Sequence, residues 1–172
     1  MISNIIKYGS MFILLILFQG LILNNVEFGG YIVPFLYVFF ILALPFETPS
    51  WMVLLFGFFL GIFIDSFTST LGMHTAANVF MAFCRSYLLK LMAPRGGYEI
   101  NLRPNVQSMG LTWYLLYASI LVLLHHLFLF YIESFKFTQF FYTLGRAFAS
   151  AFFTIVLVLI VQLFNYKSTT KA

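Results

Sequence analysis

Residues 51–65 read WMVLLFGFFLGIFID, and only the last of them carries a charge. A helix built from this run is apolar on every side, a pattern that suits lipid or a large protein interior and not a water-facing surface. Thr48 followed by Pro49 predicts its start, as an N-cap with proline at the first helical position, and Trp51 suits a membrane interface. A bilayer core about 30 Å thick is crossed by ~20 mostly apolar residues rising 1.5 Å each. On that measure the chain divides into six expected spans, at about 5–23, 31–44, 51–65, 73–92, 109–132 and 138–164. The breaks between them are short. Gly29-Gly30 turns the chain before the second span, where Pro34 is tolerable in the first turn and Pro45 helps end the helix. Residues 66–72 form a small polar turn, 93–107 are the longest connection, and Ser108 is placed to cap the fifth span.

Composition excludes the other classes. Hydrophobic residues make up 62% of the 172 positions and charged ones 8%, far from the ~45–50% and ~25% of soluble domains. A soluble fold of this size could not hide so much apolar surface. The net charge of +4 forms no basic stripe with interleaved aromatics, so a nucleic-acid partner is not expected. Cys84 is the only cysteine, which excludes an internal disulfide and a thiolate zinc cage and suits a buried small hydrophobe. Lys7 precedes the apolar run 11–23, but no small-x-small site follows it, so the run is expected to be a retained first span. The expectation is one all-α integral membrane domain over residues 1–172, a bundle of six transmembrane helices.

Orientation follows from Lys and Arg alone. With the N-terminus inside, Lys7, Lys90, Arg95, Arg103, Lys167 and Lys171 fall in the cytoplasm and Lys136 falls outside. Both termini are therefore expected inside. Arg95 and Arg103, in the long cytoplasmic connection, are also placed to meet anionic lipid.

Ionisable groups within spans carry the most information, because each costs at least ~2.5–3.5 kcal/mol near the bilayer centre unless paired or hydrated. Gly57, Gly61 and Asp65 share one face of the third span at four-residue spacing. That seam admits a close helix, either inside the bundle or from a partner. His74, Asn78 and Arg85 share a face of the fourth span, and Thr112, Ser119, His126 and Glu133 recur every seven residues on the fifth. Arg146, Ser150 and Thr154 begin a stripe on the sixth. Asp65, His74, His126 and Glu133 are expected near the outer face, with Arg146 about 10 Å deeper. Two readings of this group are open: a metal, proton or ligand site, or a polar network in which Asp65 pairs with Arg146 or bonds His74 across the short turn. Four helices and no local ligand spacing speak for the network.

An inventory argues against enzyme chemistry. Asp65 is the only aspartate, which excludes paired aspartates within one subunit. Neither a GxSxG elbow nor a GxxxxGK[ST] loop is present. His125 and His126 are adjacent and therefore point in different directions on a helix. No catalytic, cofactor or metal-binding residue is assigned.

The run from Gly57 through Gly61 to Asp65, the Ser/Thr turn 66–71 and then Gly72-Met73-His74 resembles the signature of the rod shape-determining MreD family. The number and spacing of the spans resemble that family over the whole chain, while the motif itself covers about 57–78. Thr70 stands where many members have proline. The resemblance implies a non-enzymatic scaffold of the bacterial elongation machinery, in the cytoplasmic (inner) membrane. It would bind the single-span protein MreC and, indirectly, RodA with its class B penicillin-binding protein and MreB filaments. It also implies a fold similar to the substrate-binding subunits of energy-coupling-factor transporters. From that follows the alternative, a bundle binding a vitamin-like small molecule.

Overall fold

The computed structural model describes residues 2–25, 31–99, 102–135 and 139–164. The Gly29-Gly30 turn, Lys136, Thr138 and the tail with Lys167 and Lys171 lie outside the described residues. What is described is helical. It comprises α1 (Ile2–Leu21), α2 (Phe39–Ala43), α3 (Ser50–Thr68), α4 (Met73–Leu91), α5 (Val106–Met109), α6 (Leu111–Ser134) and α7 (Phe140–Phe164), with short 3-10 turns at Leu23–Asn25 and Leu36–Val38.

Four helical stretches are long and apolar enough to cross a bilayer: Ile5–Asn25, Ser50–Thr68, Leu111–Ser134 and Phe140–Phe164. Their outward faces carry large apolar side chains such as Leu14, Phe59, Leu116 and Phe152, all well exposed. Lipid is the environment in which that exposure is favourable, and the chain is a membrane protein by this measure. α4 equals α3 in length, 19 residues each. It is less apolar because one side of it carries His74, Asn78 and Arg85, all buried.

The expected second span differs in kind. Residues 31–35 are not helical, and a 3-10 turn and the five residues of α2 complete the segment. Pro34 contributes no N–H and holds Val33 out of helical geometry, and helical geometry begins only at Leu36. The segment is nonetheless the centre of the molecule: Phe35 to Leu42 are all buried, and Tyr37, Val38, Ile41 and Leu42 have no exposed surface at all.

Around it α1 packs on α3, α3 on α4, α4 on α6 and α6 on α7. Two helix starts fall one or two residues from their expected places. α3 begins at Ser50, with Pro49 in the cap position and its carbonyl taking the N–H groups of Met52 and Val53. α6 begins after Gly110, whose φ of 82° breaks the chain between α5 and α6. Ser108 is therefore not its cap; its own N–H is held by Asn105 Oδ1 at 2.7 Å. The long connection is pinned by Tyr98, which stacks on Phe46 with ring centroids 4.0 Å apart and donates to Leu89 O at 2.9 Å.

Candidate functional site: a helix-capping and core-bonding polar network

α3 and α4 form a close hairpin, and glycine makes it close. A Cβ at Gly61 would land on the backbone of Thr75, and one at Gly57 would sit 3.1 Å from Asn78 O and 3.3 Å from the Ala82 Cβ. The Gly57–Gly61 seam therefore faces α4, inside the molecule. Ser69 and Gly72 turn the chain with positive φ, at 54° and 81°. Glycine suits the second position because it enters the left-handed region without steric cost.

That turn brings the start of α4 onto Asp65. Its Oδ1 accepts from the His74 N–H at 3.0 Å, from the Thr70 hydroxyl at 2.5 Å and from His74 Nδ1 at 3.1 Å. Its Oδ2 accepts from the Thr75 N–H at 3.0 Å and the Thr75 hydroxyl at 2.6 Å. His74 and Thr75 are the second and third residues of α4, and their amides are orphan donors that a helix cannot satisfy internally. Gly72, at the local cap position, has no side chain to help. A carboxylate from the preceding helix performs the capping instead, with its charge at the positive end of the α4 dipole.

Arg85 is the counterpart at the opposite helix pole. It is 1% exposed. Its Nε donates to the Tyr117 hydroxyl at 2.9 Å, and one terminal nitrogen donates to Leu44 O at 2.5 Å and Pro45 O at 3.3 Å. Tyr117 in turn donates to Leu42 O at 3.2 Å. Leu42 lies in the last turn of α2 and Leu44 and Pro45 follow it, so Arg85 and Tyr117 together hold the chain where it leaves that helix.

The irregular stretch before α2 carries backbone donors without helical partners, which in a bilayer must be satisfied by protein. Val33 N–H donates to Ser150 Oγ at 3.1 Å, Phe35 N–H to Thr154 Oγ1 at 3.0 Å and Leu36 N–H to Gln19 Oε1 at 2.8 Å. Gln19 also donates to Pro34 O at 3.1 Å. α1 and α7 thus hold the segment from two sides.

All three histidines surround this segment. The Phe35 ring lies 5.4, 6.1 and 5.3 Å, centroid to centroid, from His74, His125 and His126. His125 Nε2 bonds the Tyr37 hydroxyl at 3.0 Å. His126 Nδ1 faces Val122 O at 2.8 Å, and its Nε2 lies 3.1 Å from the Thr154 hydroxyl oxygen, whose proton goes to Ser150 O. Adjacent His125 and His126 do point differently, yet the aromatic segment is broad enough for both to reach it.

The expected outer cluster therefore divides. Asp65 and His74 belong to the α4 cap, and His126 belongs to the network around Thr154. Glu133 pairs with Arg146 nearer the surface, both carboxylate oxygens lying 3.2 Å from one guanidinium nitrogen. The same guanidinium lies 4.3 Å from the centroid of the Phe130 ring. Asp65 is not the partner of Arg146. Asn78 is fully buried with its backbone carbonyl against Gly57, and neither its side-chain nitrogen nor its side-chain oxygen is hydrogen-bonded. Thr112 is exposed at the start of α6, apart from the network. Among the described residues no three His, Cys, Asp or Glu side chains are grouped to hold a metal.

Sequence reasoning missed Tyr37, Thr75, Tyr117 and His125. Thr75 had a usable signal, since Asp65 and the start of a helix ten positions later are joined by a turn too short to separate them. Tyr37 had none, lying in a stretch whose sequence reads as a plain apolar helix. In comparison with known proteins, no family model matches the chain, and neither a curated protein nor a solved structure does.

Proposed function

We propose that this chain is a non-enzymatic membrane scaffold of the bacterial cell-elongation machinery, of the MreD kind, in the inner membrane. The observation that carries the reading is where the polar groups go. Asp65, Arg85, Gln19, Ser150 and Thr154 are committed to helix ends and to the backbone of residues 33–36. A molecule that uses its polar groups to hold its own shape acts through its surfaces. The resemblance of residues 57–74 to the MreD signature points the same way and names the partner, the single-span protein MreC.

In this reading the bundle crosses the bilayer six times, with α4 and the segment 31–44 adding to the four long apolar stretches. Both termini are cytoplasmic. The vitamin-binding alternative has less support, because the interior where such a ligand would sit is packed with Phe35 to Leu42. Co-purification from solubilised membranes tests the proposal. Tagged chain is expected to retain MreC through detergent washing, and its depletion is expected to turn rods into spheres. Recovery of a small polar ligand without MreC would favour the transporter-subunit reading.

A further inference from the structure

Between α1 and α3 lies an open groove of about 680 Å³, within the ~300–1,000 Å³ range of small-molecule sites. Five of its thirteen lining residues are phenylalanines: Phe12 from α1, Phe56, Phe59 and Phe63 from α3, and Phe40 of α2. The two helices run in the same direction, since Phe12 meets Phe63 and Gly20 meets Phe67 further along. The polar side chains in the lining, Tyr8 and Thr48, both belong to the end where α1 and α3 begin. At that end the Arg103 guanidinium lies 5.8 Å from the centroid of the Tyr8 ring. Arg85 is close behind, holding the carbonyls of Leu44 and Pro45, two more lining residues. The groove thus has an apolar body and the Arg103 guanidinium beside its mouth.

We propose that this groove binds one acyl chain of an anionic glycerophospholipid, with the headgroup phosphate at the Arg103 end. The charge pattern matches such a lipid from head to tail. A partner helix is a poorer fit: helices pack closely in lipid through small residues on both faces, and of the thirteen residues in this lining two, Gly9 and Thr48, are small. A gap walled by aromatic rings suits a thin, flexible chain. The inference requires only that the chain lies in a bilayer, and it stands or falls independently of the scaffold reading.

Native mass spectrometry of the purified chain, supplied with phosphatidylglycerol or with phosphatidylcholine of identical acyl chains, tests it. The wild-type chain is expected to keep one phosphatidylglycerol in preference to phosphatidylcholine. Arg103→Gln is expected to reduce that preference about fivefold, the contribution of one cation beside an anionic headgroup. Arg103→Lys is expected to retain most of it. A Cβ at Gly9 would meet nothing within 4 Å, so Gly9→Phe fills the groove and is expected to abolish retention of either lipid. Equal retention of the two lipids by the wild-type chain overturns the proposal. So does undiminished lipid on a Gly9→Phe chain whose helical content and melting match the wild type. A folded Gly9→Phe chain that keeps its lipid but loses a co-purifying membrane protein would make this a helix-docking groove, and would overturn the lipid site as well. If Gly9→Phe does not fold, the wild-type and Arg103→Gln preferences decide alone.

Discussion

Asp65 accepts five hydrogen bonds through two oxygens, two of them from backbone amides that open α4. Asp65→Asn keeps the size and one acceptor but turns an N–H₂ toward the Thr75 amide or the His74 amide, donor against donor. The expected loss is about 2–4 kcal/mol, from charged hydrogen bonds worth ~1.5–3 kcal/mol each and only partly replaced. Thermal unfolding in detergent checks this, and an unchanged melting temperature would remove Asp65 from the capping role. The glycines should separate in the same assay. Gly61→Ala collides with the backbone of Thr75 and is expected to be the most damaging of three alanine substitutions. Gly57→Ala meets atoms that need yield only a few tenths of an ångström and should cost less. Gly9→Ala, in open space on α1, should be neutral or stabilising by up to ~1 kcal/mol, the helix-propensity gain. A different order would mean that the α3–α4 hairpin packs otherwise. The Gly57–Gly61–Asp65 face was legible from its four-residue spacing. Its direction was not, because small residues on one face serve an internal neighbour and an external one equally well.

The segment 31–43 shows what periodicity cannot reveal. Its composition is that of a short apolar helix, and only Pro34 hints otherwise. The physical cue lay elsewhere, in the polar residues Gln19, Ser150 and Thr154 on helices that otherwise face lipid or core. Each cancels an unpaired backbone amide of the irregular stretch. Thr154 is held three ways, accepting from Phe35 N–H, meeting His126 Nε2 and donating to Ser150 O. Thr154→Val removes the acceptor while keeping the shape, leaving a buried amide unpaired at about 1–3 kcal/mol. Hydrogen exchange at the Phe35 amide is expected to rise by one to two orders of magnitude, as roughly 1.4 kcal/mol corresponds to tenfold. Thr154→Ser should restore most of the protection. Equal exchange in wild type and Thr154→Val would show that the bond is not formed in the membrane.

For the molecule as a whole, the Lys and Arg distribution makes one demand that any arrangement of helices must meet. Reporter fusions at residue 100 and after residue 172 should both report cytoplasm, and an external signal at either would reject six crossings with both termini inside. The helical class and the long apolar stretches were legible because lipid imposes length and polarity on each span separately. The bonding of the central segment was not, because it depends on residues far apart in sequence.

That separation matters for how the chain is made. Val33 and Phe35 take their hydrogen-bond partners from residues 117 and 119 positions further on. When residues 31–38 leave the ribosome, the serine and threonine that will satisfy them have not been synthesised. Until α7 is made, the amides of Val33 and Phe35 lack these partners, while that of Leu36 already has Gln19 upstream. These two bonds are therefore among the last in the molecule to close, although their donors are translated early. Assembly is therefore closed from both ends of the chain at once, and a nascent chain stalled before α7 would present an unfinished centre to the quality-control proteases of the membrane.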